Sequence, residues 1–255
     1  MWLGVLGPLS IRFEDRSIMV PAAKQRAVLA ILLMNANRVV SVDEIADMLW
    51  DGLPPQTARV TIRGYIRRLR RLLGPAVGAR IITHDPGYVA EFRSEELDIL
   101  RFTGLFRDGA SAFHKDAWEE ASRVLGEALD IWRDAPLSDI RCQRLVSEEV
   151  PRLNQVRLQA AEWRAEAELH LGHHDLLTTE LMQLAAAEPL RERFHALLMI
   201  ALSRCGRQAE ALVAYQNVRR LLVEELGVEP GAELQELHDR ILGAGLRPRS
   251  TGQFR

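Results

Sequence analysis

Six arginines between residues 59 and 71 carry the chemistry most available to this 255-residue chain. Arg59, Arg63, Arg67, Arg68, Arg70 and Arg71 lie in a stretch, residues 52–84, that has no acidic residue. A guanidinium presents a planar fork of donors that pairs bidentately with a phosphate or with the O6/N7 edge of guanine. At ~100° per residue, Ile62, Tyr65, Ile66, Leu69, Leu72 and Leu73 fall within one arc of about 120°, the width of a core-facing stripe. Arg59, Arg63, Arg67, Arg70 and Arg71 fall opposite, with Arg68 at the flank. The pairs 59/63, 63/67 and 67/71 are four residues apart, and like charges at that spacing repel by a few tenths of a kcal/mol each. A face that is merely solvated mixes its signs. This one does not, and the imbalance points to a polyanion that supplies the missing charge. A major groove ~12 Å wide admits one such helix.

The neighbouring residues read as a scaffold for that helix. Leu3–Leu6, Leu9–Phe13 and Ser17–Val20 are short strands broken by Gly7-Pro8 and by Glu14-Asp15-Arg16, a small antiparallel meander. Lys24–Met34 is apolar enough for a buried helix. Ser41 with Glu44 three residues on has the spacing of a capping box, opening a helix over Val42–Trp50. Asp51-Gly52-Leu53-Pro54-Pro55 ends it in a loop. Thr57 is placed to cap the arginine helix, which Gly74-Pro75 stops. Arg80–Thr83 and Tyr88–Phe92 flank His84-Asp85-Pro86-Gly87, a turn-type sequence, so a β-hairpin follows. Two helices, a loop and a hairpin form the winged variant of helix-turn-helix, with Thr83 and His84 near the hairpin tip. Contacts to the DNA backbone are expected from Trp50, Thr57, Arg59 and the wing.

Beyond about residue 95 the periodicity is helical: 97–113, 117–132, 146–171, 176–187, 190–205, 209–226 and 232–242. Leu171-Gly172 and Cys205-Gly206 end helices 34 residues apart, the period of tetratricopeptide-like hairpins, which stack because no hairpin buries its apolar face alone. The fold class expected is therefore α+β, a winged helix-turn-helix domain at 1–93, then an all-α tetratricopeptide-like domain at 97–244 and a flexible tail or linker at 245–255. Charge divides the same way. Residues 1–92 hold 12 basic and 8 acidic side chains, leaving 21 and 27 for the remainder, which makes the helical part a poor DNA binder on its own.

Composition excludes much else. The longest apolar run falls short of the ~18 residues a membrane span needs, and Met1-Trp2-Leu3-Gly4 lacks the basic start of a secretory signal. Two cysteines, Cys142 and Cys205, cannot build a disulfide scaffold or a cysteine zinc site, and read as reduced thiols. His170 and His174 have a metal-binding i,i+4 spacing, but Gly172 interrupts the helix, so His170, His173, His174 and Asp175 read as a polar turn and no metal or other cofactor is expected. No G-x-S-x-G elbow is present, and Gly74–Gly78 lacks the lysine of a phosphate-binding loop. Glu148-Glu149 and Glu224-Glu225 point different ways on their helices. Trp50, Trp118, Trp132 and Trp163 read as packing residues, and Trp2 as one that packs between the domains. An enzyme is not expected.

Ile66-Arg67-Arg68-Leu69-Arg70-Arg71-Leu72, Asp85-Pro86-Gly87-Tyr88 and Leu49-Trp50 resemble the winged helix-turn-helix of OmpR/PhoB-type regulators. Val5-Leu6-Gly7-Pro8-Leu9, Lys24–Ala30 and Ala36–Ser41 resemble, more closely, the Streptomyces antibiotic regulatory proteins. Ala128–Arg133, Gly206–Leu212 and Glu225–Gly231 resemble that family's bacterial transcriptional activation domain. The resemblance implies a cytoplasmic, nucleoid-associated transcriptional activator of a secondary-metabolite gene cluster. It implies binding to direct repeats of double-stranded promoter DNA as side-by-side protomers, with Arg67, Arg68 and Arg70 at bases and phosphates. Asp51, Gly52, Leu53, Pro54, Pro55 and Gln56 match the segment that touches sigma region 4 of RNA polymerase. Arg63 departs from a frequent acid, which implies a reading of different bases; Tyr65 replaces a frequent histidine, and His84 stands near a wing position that is often arginine, which implies a different wing contact at neutral pH. No phospho-acceptor receiver precedes the winged part, and aspartyl phosphorylation is not expected here. The alternative is a helical-repeat interaction scaffold with an accessory basic helix that contacts nucleic acid.

Overall fold

The computed structural model describes residues 1–14 and 16–245. Asp15, in the expected meander turn, and residues 246–255, nearly all of the expected tail, lie outside the described residues. The chain forms two compact units, one of residues 1–110 and 124–160, the other of 111–123 and 161–255.

The first unit opens with an antiparallel meander of β1 (Trp2–Gly4), β2 (Ser10–Phe13) and β3 (Arg16–Ser17), with Leu3 opposite Ile11 and Arg12 opposite Ser17. The first strand stops two residues earlier than the expected Leu6, for a reason local sequence does not show. The carboxylate of Asp98 accepts the N–H groups of Val5, at 2.9 and 2.8 Å, and of Leu6, at 2.9 Å. Those donors are therefore not available to a ladder. β3 is likewise shorter than expected; only Ile18 N–H, to Ile11 O at 2.9 Å, extends its pairing. Asp98 is fully buried and also receives Arg133 at 3.3 Å, while Arg133 donates to Pro8 O at 3.0 Å and lies 4.8 Å from the Trp2 ring centroid. Trp2 thus packs within this unit, with Arg133 and, at 5.9 Å, Arg12 near its ring. Leu137 N–H closes the clamp on Val5 O and Gly7 O.

Three helices follow. α1 (Ala23–Met34) is buried continuously from Ala27 to Leu33, as a helical run with no polar side must be. α2 (Val42–Leu49) carries the expected capping box: Glu44 N–H donates to Ser41 Oγ, and Ser41 N–H donates to Glu44. That bond holds the Glu44 carboxyl below its ordinary range. The helix ends at Leu49, one residue before the expected Trp50, where Lys24 Nζ donates to Leu49 O at 2.5 Å. α3 (Ala58–Gly78) is kinked at Gly74, whose φ of 71° is left-handed; the regular helix ends at Leu73 as the Gly-Pro signal requires, and a further turn runs to Gly78. Thr57 occupies the N-cap but its side chain caps nothing, since its backbone is not in the extended conformation that aims the hydroxyl at the first turn.

A second sheet, ordered β4-β6-β5, joins β4 (Val40–Ser41), β5 (Ile81–His84) and β6 (Gly87–Ala90). The last two are the expected hairpin. Gly87 is required where β6 crosses β4, because a Cβ there would collide with the Val40 carbonyl. Asn37, at a positive φ, stands in for a strand: its amide exchanges bonds of 2.9 and 3.0 Å with the backbone of Phe92.

The expected helices of the remainder are α4 (Asp98–Phe113), α5 (Trp118–Leu129), α6 (Gln143–His170), α7 (His174–Ala187), α8 (Glu192–Arg204), α9 (Gln208–Leu226) and α10 (Ala232–Gly245). Gly172 and Gly206 turn successive hairpins at left-handed φ, and α8 packs against α7, α9 and α10. The structure is a winged helix-turn-helix with a tetratricopeptide-like helical array. Replacing Asp98 with Ala leaves the N–H groups of Val5, Leu6 and Ile99, and Arg133, without their acceptor. The expected loss is ~3 kcal/mol or more of unfolding free energy in urea; a loss below about 1 kcal/mol would show the clamp to be incidental.

Candidate nucleic-acid interface

α3 is positioned from both ends. Its apolar stripe, Ile62, Ile66, Leu69 and Leu73, is buried against the core shared with α1 and α2. Leu72 and Tyr65, at the stripe's edge, are exposed and half-buried, respectively. The opposite side holds the arginines, but they are not equivalent.

Arg63, Arg67, Arg68 and Arg71 are exposed, and among the described residues none of them has an ion pair or a hydrogen bond from its side chain. Arg59, also exposed, is paired with Asp43 of α2, a contact of small energetic weight in water. Arg70 is engaged within the fold. Its Nε donates to Ile81 O at 2.8 Å, a terminal nitrogen donates to Thr83 Oγ1 at 2.9 Å, and the guanidinium lies 5.9 Å from the Tyr88 ring centroid. This side chain ties the helix to the wing rather than projecting from it. A helical wheel places Arg70 with its neighbours; only the hairpin, folded back 11 residues later, removes it from them.

The other expected residues are placed as follows. Trp50 is half-buried, packed against the core with Lys24 Nζ 5.2 Å from its ring centroid, so its surface toward solvent is partial. Thr57 is exposed at the start of α3, and Thr83 is exposed but accepts from Arg70. His84, exposed at the wing tip, has its Nδ1 3.0 Å from Asp85 O. Residues 51–56 are all exposed, Leu53 to 85%, on a loop that Asp51 and Gly52 enter at positive φ. Arg144 N–H donates to Asp51 at 3.2 Å. Val60, absent from the sequence reading, is 70% exposed amid the arginines. Its position outside the apolar arc was the available signal.

Several arginines of the second unit are paired with glutamates, although Arg204 donates instead to Leu169 O and Arg220 to Asn217. Arg191 pairs with Glu162, Arg193 with Glu166 and Glu233, Arg164 with Glu180, and Arg219 bidentately with Glu229 at 2.6 Å. Its histidines do not converge. The His170 ring stacks 4.0 Å from that of Trp118 and His173 meets Glu168, while burial lowers the His174 pKa. Among the described residues no group of three metal-ligating side chains is assembled, and no helix is long and apolar enough to cross a membrane.

A winged helix whose recognition-position helix presents unpaired cations, joined to a helical array, defines a class of DNA-directed regulators. Residues 97–242 match the family described as bacterial transcriptional activator domain, and residues 19–90 match transcriptional regulatory protein, C terminal. The chain is 37% identical to the regulatory protein DnrI of Streptomyces peucetius, over 96% of this chain and 93% of that one. It is 39% identical to the regulatory protein AfsR of Streptomyces coelicolor over 94% of this chain but 24% of that one. The solved structure of Mycobacterium tuberculosis EmbR, in complex with a low-affinity phosphopeptide, superposes with a TM-score of 0.89 at 34% identity, covering 95% of this chain and 65% of that one. The chain belongs to the Streptomyces antibiotic regulatory protein family of transcriptional regulators, and it spans less than two thirds of AfsR and of EmbR.

The two kinds of arginine are separable by stability. Arg70→Ala is expected to lower the unfolding free energy by about 1 kcal/mol, the net value of its hydrogen bonds. Arg63→Ala, Arg67→Ala, Arg68→Ala and Arg71→Ala should each stay within about 0.5 kcal/mol of the parent. Equal urea midpoints for all five variants would contradict the assignment of Arg70 to the wing.

Proposed function

We propose that this chain is a sequence-specific DNA-binding transcriptional activator. α3 enters the major groove, Arg63, Arg67, Arg68 and Arg71 supply base and phosphate contacts, and the wing with Thr83 and His84 lies along the adjacent backbone. The observation that carries this reading is the clustering of four exposed arginines on one side of α3, none of them ion-paired among the described residues, at helical spacings where like charges repel. A duplex carries one negative charge per ~1.7 Å of axis and releases condensed counterions when cations replace them.

Arg59 and Thr57 contribute to the backbone track from the start of the helix, and the Trp50 region contributes in part. Arg70 acts through the wing, holding β5 at its angle to α3. The exposed loop 51–56 contacts sigma region 4 of RNA polymerase, and its support is the 85% exposure of Leu53, an apolar side chain held out on a shaped loop. Protomers bind direct repeats side by side and recruit polymerase to a secondary-metabolite gene cluster, in the cytoplasm at the nucleoid. The chain performs no catalysis and needs no cofactor for this work.

The test is binding to sites selected from random duplexes by the full chain. Arg68→Ala should lose about 1–3 kcal/mol of discrimination at one base pair, whereas Arg71→Ala should weaken binding to all duplexes alike and make the salt slope shallower by about one. Binding abolished by mixed-sequence competitor, with no site enriched, would favour the scaffold reading instead.

A further inference from the structure

The cationic side of α3 has an apolar interruption. Val60 is 70% exposed in the first turn of the helix. At ~100° per residue it sits at the middle of the arc that runs from Arg63 through Arg67 and Arg71 to Arg68. One turn on, in the same arc, Gly64 presents bare backbone: a Cβ built there meets nothing within 4 Å. No contact in the fold requires either residue; the helical glycines Gly104 and Gly243 are equally open, but Gly64 is the one set among the unpaired arginines of α3. Glycine in a helix interior costs ~1 kcal/mol relative to alanine, and packing would accommodate alanine at residue 64. Gly78 and Gly87 differ, since a Cβ at either would strike backbone. A bare turn and an exposed branched side chain, ringed by unpaired guanidiniums, match something that approaches α3 closely, is anionic, and carries a small apolar group.

We propose that Val60 and Gly64 form a thymine-reading notch, in which the 5-methyl group of a thymine packs on Val60 while the bare backbone at Gly64 lets the base edges come close. This rests on the DNA-binding reading above. The thymine methyl is the apolar feature of the major groove, and helix-turn-helix proteins read bases with the N-terminal part of the recognition helix, where Val60 lies. Arg63 and Arg67, both to one side of Val60 in that arc, fix the register through phosphate or guanine contacts. Specificity at this step comes from methyl burial, a preference distinct from the hydrogen-bonded readout of the arginines.

Sites are first selected from random duplexes with the full chain. Each thymine of the selected site is then replaced in turn by uracil, which removes only the methyl group, and affinity is followed by fluorescence anisotropy. At one thymine of each half-site, uracil is expected to weaken binding about fourfold, the value of burying one methyl-sized group. The same substitution should have no effect on Val60→Ala, whose thermal unfolding should match the parent. Gly64→Ala should raise the unfolding temperature, as an alanine in a helix does, yet weaken binding to the same site. The proposal is overturned by a parent insensitive to uracil at every thymine, by an equal uracil penalty in Val60→Ala, or by parental affinity in Gly64→Ala. A selection that enriches no sequence overturns the DNA-binding reading itself, a result distinct from each of these.

Discussion

Four guanidinium groups crowd one side of α3 with no carboxylate paired to any of them, although the same chain neutralises arginines elsewhere with paired glutamates. Such crowding costs stability in the isolated protein and is recovered only when an anion arrives. The rest of the first unit is arranged to keep that side exposed and in place. The buried stripe of Ile62, Ile66, Leu69 and Leu73 sets the rotation of the helix, so the cations must face outward. The capping box of α2 and the Lys24 bond to Leu49 O define the element that precedes it.

Arg70 shows how a fold can turn one residue of a uniform series to a different purpose. Its bonds to Ile81 O and Thr83 Oγ1 make the angle between helix and wing a property of the protein. A side chain that is already ordered in this way holds the wing in place without a further entropic cost on any later contact. The Asp98–Arg133 clamp acts on the meander in the same spirit. Its carboxylate lies more than 90 residues from the Val5 and Leu6 donors it satisfies, so the meander depends on residues beyond the winged segment itself.

Much of this was legible in the sequence because it is periodic or local. The 3.6-residue spacing of the α3 stripe, the Ser41–Glu44 capping box, the Gly74-Pro75 stop and the 34-residue recurrence of Gly172 and Gly206 all depend on residues near one another in the chain. What local sequence did not show has the opposite origin. β1 ends early because Asp98 captures its donors from a distance, and Arg70 and Arg59 gain partners within the fold because β5 and α2 lie beside them. Thr57 failed as a cap through its backbone angles, which its residue type does not reveal. Val60 carries no charge signal of its own; only its exposure within the cationic arc distinguishes it.

The central claim is that the unpaired cations of α3 meet the phosphates and base edges of a duplex. The most direct measurement is the dependence of affinity on salt, for the full chain and a single selected duplex, plotted as log K against log salt concentration. The expected slope is about −3 or steeper, since each of several engaged cations displaces ~0.9 of a counterion. A slope near zero, or no binding even in dilute buffer, would contradict the account.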